Sequence, residues 1–285
     1  MTPTSLLLPA PHHRTGPGCG CGPGPGPARS DRSGPSASDR PGPAGPDQPG
    51  PDPVRPALVL VAHGSRDPRT LAEVRRIAAA VRARADVPVH LAHLGLNEPL
   101  LPEVLAGLRG PVVLVPLLLG RGYHVRVDLP AALAAAPGVQ GVVTAPLGPD
   151  PLLAGALAAR LAEAGWHAGP GGGQGVVLAA AGSRDPAGAR DTEEQARLLG
   201  AELNVPVLPG YVAAGGPTVR QAVAELTGRG LQRVAVAGYF TAPGEFAARA
   251  AAESPWAASP PLGAHPAVLR LLLRRYAAAL PLFTH

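Results

Sequence analysis

Ala57-Leu58-Val59-Leu60-Val61-Ala62-His63-Gly64-Ser65-Arg66-Asp67-Pro68 is the stretch that decides how this chain reads. Ala57–Ala62 is an unbroken apolar run, the pattern of a strand buried on both faces of a parallel sheet. It stops at His63, and Pro68 suits the first turn of a helix, where a missing N–H costs nothing. In open parallel sheets, ligands gather beyond the carboxyl ends of the strands. His63 is therefore the first candidate for chemistry.

Outward from this stretch, apolar runs and helical periodicity keep alternating. Strands are predicted at 57–62, 87–94, 111–119 and 139–145, with helices at 68–84, up to 108, through 136, and from 150 to 164. In the first helix Leu71, Val74, Ile77, Ala78 and Val81 share one face. Such βα units imply a parallel sheet covered on both sides. Gly169–Gly175 reads as a flexible linker, and then the order restarts with strands at 175–181, 205–212 and 233–240 and a closing helix to about 279. Gly-Ser-Arg-Asp-Pro occurs at Gly64–Pro68 and Gly182–Pro186, 118 residues apart. Pro-Leu-Gly-x-x-Pro occurs at Pro146–Pro151 and Pro261–Pro266, 115 apart. Two landmarks in one order at nearly one offset mark an internal duplication. The expected fold class is α/β, with two duplicated lobes, each a four-stranded parallel sheet flanked by helices, and an active-site cleft between them. The expected boundaries are a tail at 1–54, lobes at 55–166 and 176–285, and the linker at 167–175.

The first 54 residues are rich in Gly, Pro, Ser, Asp and Arg, too poor in apolar surface to offset the entropy of ordering, and are expected to be disordered. His12, His13, Cys19 and Cys21 lie there. No cysteine remains for the folded part, which excludes a disulfide framework or a cysteine-ligated cluster. Every one of the 25 basic residues is arginine, and the net charge is +5. The arginines are scattered and no basic run interleaves with aromatics, so no nucleic-acid partner is expected, whereas a small polyanion would suit them. Leu6–Leu8 is too short for a signal core, and no apolar stretch reaches the ~18 residues of a membrane span. The expectation is a cytoplasmic protein without a membrane partner, monomeric or homodimeric.

The two copies agree in scaffold and differ in reactive groups. His63 is matched by Ala181, and the third strand of the first copy runs into Arg121-Gly122-Tyr123-His124, where the second has Tyr239-Phe240-Thr241 and no histidine. A purely structural niche would need its histidine in both copies. Strand ends converge on one rim of a parallel sheet. There, two neutral imidazoles can share a divalent Fe, Co, Ni or Zn ion, or one can act as a general base. The shared Ser65 and Asp67 read chiefly as turn and helix cap. A serine nucleophile is a weak alternative, since no G-x-S-x-G elbow is present. Arg66, Arg121 and Arg126 are candidates to clamp ligand carboxylates or to be surface cations. Asp128, four residues after His124, can orient that imidazole or favour a helix dipole.

Val61-Ala62-His63-Gly64-Ser65-Arg66-Asp67, together with Val115–Leu119 and Gly122–Asp128, resembles the class II tetrapyrrole chelatases of the sirohydrochlorin cobaltochelatase/ferrochelatase type. The resemblance covers about residues 56–280 and is degenerate in the second half. It implies insertion of Fe2+ or Co2+, with Ni2+ as a further candidate, into a tetrapyrrole for siroheme or cobalamin, with the metal as substrate and no nucleotide. A non-catalytic metal or tetrapyrrole carrier is the alternative. His63 and His124 would be metal ligands or proton acceptors. Ser65, Arg66, Glu98 and the loop Leu119-Gly120-Arg121-Gly122-Tyr123 would face the substrate. The family's acidic residue after the second strand is absent here: that slot is Gly95 in His93-Leu94-Gly95-Leu96, leaving Glu98 or His93 as its replacement.

Overall fold

The computed structural model describes residues 55–169 and 172–283. The leader, with His12, His13, Cys19 and Cys21, lies outside the described residues. β1 (Ala57–Ala62) takes an inner position in a sheet of order β2-β1-β3-β4, with β2 at Val89–His93, β3 at Gly110–Pro116 and β4 at Val139–Val143. All pairings are parallel. The second repeat builds the same order, β6-β5-β7-β8, from β5 (Gln174–Gly182), β6 (Val207–Ala214), β7 (Arg233–Gly238) and the two-residue β8 (Ala257–Ala258).

The period of two along β1 sorts its side chains between two cores. Leu58, Leu60 and Ala62 join a large inner core, and Val59 and Val61 an outer one beneath α2 (Leu101–Gly107) and α3 (Leu129–Ala134). A matching outer core in the second repeat gathers Val177, Ala179, Ala222 and Leu226 under α6 (Val219–Gly228) and α7 (Glu245–Ala252). The inner core is shared. It holds Ile77 of α1 (Pro68–Arg82), Leu157 of α4 (Pro151–Glu163), Leu199 of α5 (Pro186–Leu203) and Leu272 of α8 (Pro266–Ala279).

The helices that close each repeat are exchanged. α4 packs against β7 of the other sheet, and α8 packs against β3. Polar contacts fix the crossing. Tyr276 Oη donates to Pro56 O at 2.6 Å, Arg275 donates to the carbonyls of Pro146 and Leu147, and Arg274 pairs with the buried Asp150. Tyr276→Phe, which leaves Pro56 O without this donor, is expected to cost about 1–2 kcal/mol, measurable by urea unfolding.

One element departs from the sequence reading. The helix expected straight after His124 is preceded by a wide turn, His124–Asp128, with Leu129 N–H donating to His124 O, five residues back. Pro130 follows and brings no N–H of its own, so the regular helical ladder cannot run through this point. Such π turns recur at functional sites.

Candidate active site

In a 2-1-3-4 sheet the chain leaves β1 and β3 in opposite directions, opening a crevice beyond their carboxyl ends. His63 stands one residue past β1, and His124 eight residues past β3. Their rings lie 4.8 Å apart between centroids, tilted by 55°.

The Gly64–Pro68 turn explains why His63 is held there. Gly64 sits at φ +96°, and a Cβ on it would lie 1.9 Å from Gly95 O. Ser65 N–H donates to Asn97 Oδ1 at 2.7 Å, fastening the β1 loop to the β2 loop. Ser65 Oγ accepts from Asp67 N–H at 3.1 Å, and Asp67 caps α1 through Arg69 N–H at 2.9 Å. Gly182, Ser183 and Asp185 repeat the turn and the cap: φ +93°, Oγ accepting from Asp185 N–H at 3.0 Å, and a cap on Ala187 N–H at 2.9 Å. The shared motif is thus a turn and a cap in both lobes.

His124 is oriented from behind. Its Nδ1 meets Asp128 Oδ2 at 2.5 Å, across one turn of the widened helix start. A carboxylate can only accept, so Nδ1 carries the proton and the Nε2 lone pair is left for a ligand. Burial pushes the His63 imidazole below its ordinary pKa, and the neighbouring His124 adds to this. His63 therefore stays neutral, with a free lone pair, into mildly acidic solution. Among the described residues no group of three or more His, Cys, Asp or Glu is placed to hold a metal ion. The pair offers two protein ligands and leaves the remaining positions of a bound ion to other donors.

Beneath His63 is a small cavity of about 90 Å³, bordered by Ser65, Thr70, His93, Asn97, Leu117 and, from the second repeat, Thr241. His93 is 1% exposed; its Nδ1 faces Pro99 O at 3.3 Å and its buried Nε2 has no partner. Burial lowers its pKa too. Glu98 is exposed and lies instead on a larger cavity of about 580 Å³ at the sheet edge, with Arg75, Arg82 and His90. A side chain at Gly95 would meet open space.

The β3 loop is used differently from the reading of its arginine. Arg121 directs its guanidinium onto Asp191 of α5, with contacts of 2.6 and 3.1 Å, and is not free to clamp a ligand. Arg126 pairs with Asp185 at 2.7 Å. Leu119 packs against the inner core, and its carbonyl accepts from Tyr239 Oη at 3.0 Å. Gly120 rests near the Asp191 side chain, and Gly122 faces open space. Arg66 is exposed and has no ion-pair partner among the described residues. Tyr123 is 65% exposed with its ring 6.4 Å from that of His124.

Sequence reasoning missed Leu96 and Val127. Leu96 is 61% exposed at φ +63°, and Val127 is 41% exposed beside His124. A leucine in the left-handed region costs about 1–2 kcal/mol, and strain of this kind collects at functional sites. Tyr123 and Val127 supply apolar surface on the segment that carries His124, and Leu96 does so on the neighbouring β2 loop. An exposed leucine has no sequence signature; the β2 loop's position beside β1 was the available clue. Asp191 was missed as well, although it interrupts the buried stripe of α5 formed by Ala187, Gly188, Ala196 and Leu199.

Two parallel sheets of this order, enclosing exchanged helices, form the fold of the chelatases. SirB from Bacillus subtilis with Fe3+ is 25% identical, with a TM-score of 0.64 over 79% of this chain and 96% of its own. The CbiX described as the terminal enzyme for biosynthesis of siroheme in denitrifying bacteria is 22% identical, with a TM-score of 0.62 over 79% of this chain and 100% of its own, a likeness of fold alone. The CbiX family model matches twice, at residues 57–164 and 175–279, and the chain belongs to that family. The sirohydrochlorin cobaltochelatase of Methanothermobacter thermautotrophicus is 28% identical over 130 residues, 38% of this chain and 91% of that protein. That relative is thus not much longer than a single repeat. No described helix is long and apolar enough to cross a membrane.

Proposed function

We propose that this protein is a sirohydrochlorin chelatase, inserting Fe2+ or Co2+ into the tetrapyrrole in the cytoplasm. The observation that carries the reading is the imidazole pair, 4.8 Å apart at the switch point of one repeat and absent from the other. Insertion forms four metal–nitrogen bonds, releases two pyrrole N–H protons and strips water from the ion; no oxidant or reductant enters. His63 and His124, the latter oriented by Asp128, each offer one free lone pair to the ion. Two protein ligands hold it loosely enough to let it pass to the macrocycle, and as the ion leaves, the two freed imidazoles accept the two pyrrole protons. Leu96, Tyr123 and Val127 offer the flat apolar ring a surface. Where the family has an acid, His93 rather than Glu98 is the residue that borders the cavity beneath His63.

Absorbance-monitored metallation of sirohydrochlorin with Fe2+, Co2+ and Ni2+ side by side tests the reading. The expected result is many turnovers above the spontaneous rate with Fe2+ or Co2+. Stoichiometric binding without turnover would favour the carrier. The pH dependence follows from His63. Its folded-state pKa is lowered, so its neutral form, and with it activity, persists below the ordinary histidine value of 6.5 and is lost as pH falls further. A rate profile at saturating tetrapyrrole, its acid limb below that value, is the expected outcome.

A further inference from the structure

The loop that carries His124 is tied down by the repeat that has no counterpart of the histidine pair. Tyr239 Oη donates to Leu119 O, the Arg121 guanidinium and backbone N–H both bond to Asp191, and Arg126 pairs with Asp185. α5 can come this close because Gly188 lacks a side chain: a Cβ there would lie 2.7 Å from Arg121 O.

The pseudo-symmetry of the duplication provides an internal control. In the mirrored contact the first turn of α1 touches the loop after β7, and there Thr70 Oγ1 donates to Pro243 O at 2.5 Å. That loop carries no histidine and is held by a neutral hydroxyl. The loop with His124 is held by a carboxylate only 3% exposed, gripped by a guanidinium and a backbone amide. Burying a carboxylate is costly unless it is paired, so attachment alone is met more cheaply by the Thr70 kind of contact. What the planar two-point pair adds is a fixed direction. Tyr239 reinforces it: burial, with Asp191 and Asp150 nearby, raises the pKa of its phenol, which remains a donor.

We propose that Asp191 and Arg121 form a positioning pair through which the second repeat sets the pose of His124 toward His63. The proposal rests on the reading of His124 as catalytic, and the experiment separates the two. Asp191→Asn, Arg121→Ala and the double variant are compared with His124→Ala in Co2+ insertion, and the histidine ring resonances of each metal-free protein are recorded by NMR. Asp191→Asn keeps an acceptor for the Arg121 N–H and loses the charge. Each single variant is expected to lower kcat about ten- to a hundredfold with KM for the tetrapyrrole nearly unchanged. The His124 resonances should move, and the double variant should be no worse than either single one. Arg121, half exposed, carries the test alone if Asp191→Asn fails to fold. Unchanged kcat and unmoved resonances in a folded variant, or losses that add in the double variant, would overturn the positioning role. An inactive His124→Ala beside a fully active Asp191→Asn would overturn it while sparing the catalytic reading. An active His124→Ala would overturn the catalytic reading, and the resonances would still decide the pose.

Discussion

Metal insertion is expected to fall by about 100- to 10,000-fold in His124→Ala and in His63→Ala, the range associated with loss of a positioned base, with the fold retained. His63 is exposed and the His124 side chain is 42% exposed, so neither ring is part of the core. Thermal unfolding should therefore shift little, and a circular dichroism spectrum should be unchanged. The two losses should differ in kind. His63 has no hydrogen-bond partner among the described residues, whereas His124 is braced by Asp128. Asp128→Asn should therefore give an intermediate loss, because the ring stays in place but the tautomer is no longer enforced. The measurement is initial rate of absorbance change at fixed Co2+, and wild-type rates in either alanine variant would refute the assignment of the pair.

The largest expected effect on stability is at Gly64. Alanine there would bring a Cβ to 1.9 Å from Gly95 O and hold φ at +96°, where a side chain is strained whatever the space. Strain and overpacking each cost about 1–3 kcal/mol, so Gly64→Ala should lose about 3–5 kcal/mol, much of the stability of an ordinary domain. Gly182→Ala, with its Cβ 1.7 Å from Ala214 O, should lose a comparable amount. Gly155→Ala in α4 is the control: nothing lies within 4 Å of the new methyl, and a helical position should gain about 0.5–1 kcal/mol. Urea midpoints of the three variants decide the comparison. A Gly64→Ala protein as stable as Gly155→Ala would show that the loop has another conformation available.

Most of the sheet architecture was legible because buried parallel strands are written as continuous apolar runs: 57–62 and 111–119 could hardly be anything else. β8 was not, since Ala257-Ala258 has neither length nor branching, and only its partner β7 gives it a place. The histidine pair was legible because the duplication supplied a comparison within one chain. Helix exchange was not, because an apolar stripe on α4 or α8 says that a face is buried and not under which sheet. The role of Arg121 was likewise out of reach. A guanidinium in a loop is equally suited to a ligand carboxylate or to Asp191, which is 70 residues away in sequence. Only the fold brings that carboxylate beneath it.

The crossing of α4 and α8 bears on why a copy without the histidine pair is still present. If each repeat had a closed core, the second would be tied to the first only by polar contacts such as those that hold the His124 loop. Here α8, from the far end of the chain, packs against α1 and against β3, the strand that leads to His124, within the shared inner core. A deletion that removed the chemically silent copy would strip the working one of its own inner wall. The duplicate is free to drift in chemistry and captive in shape.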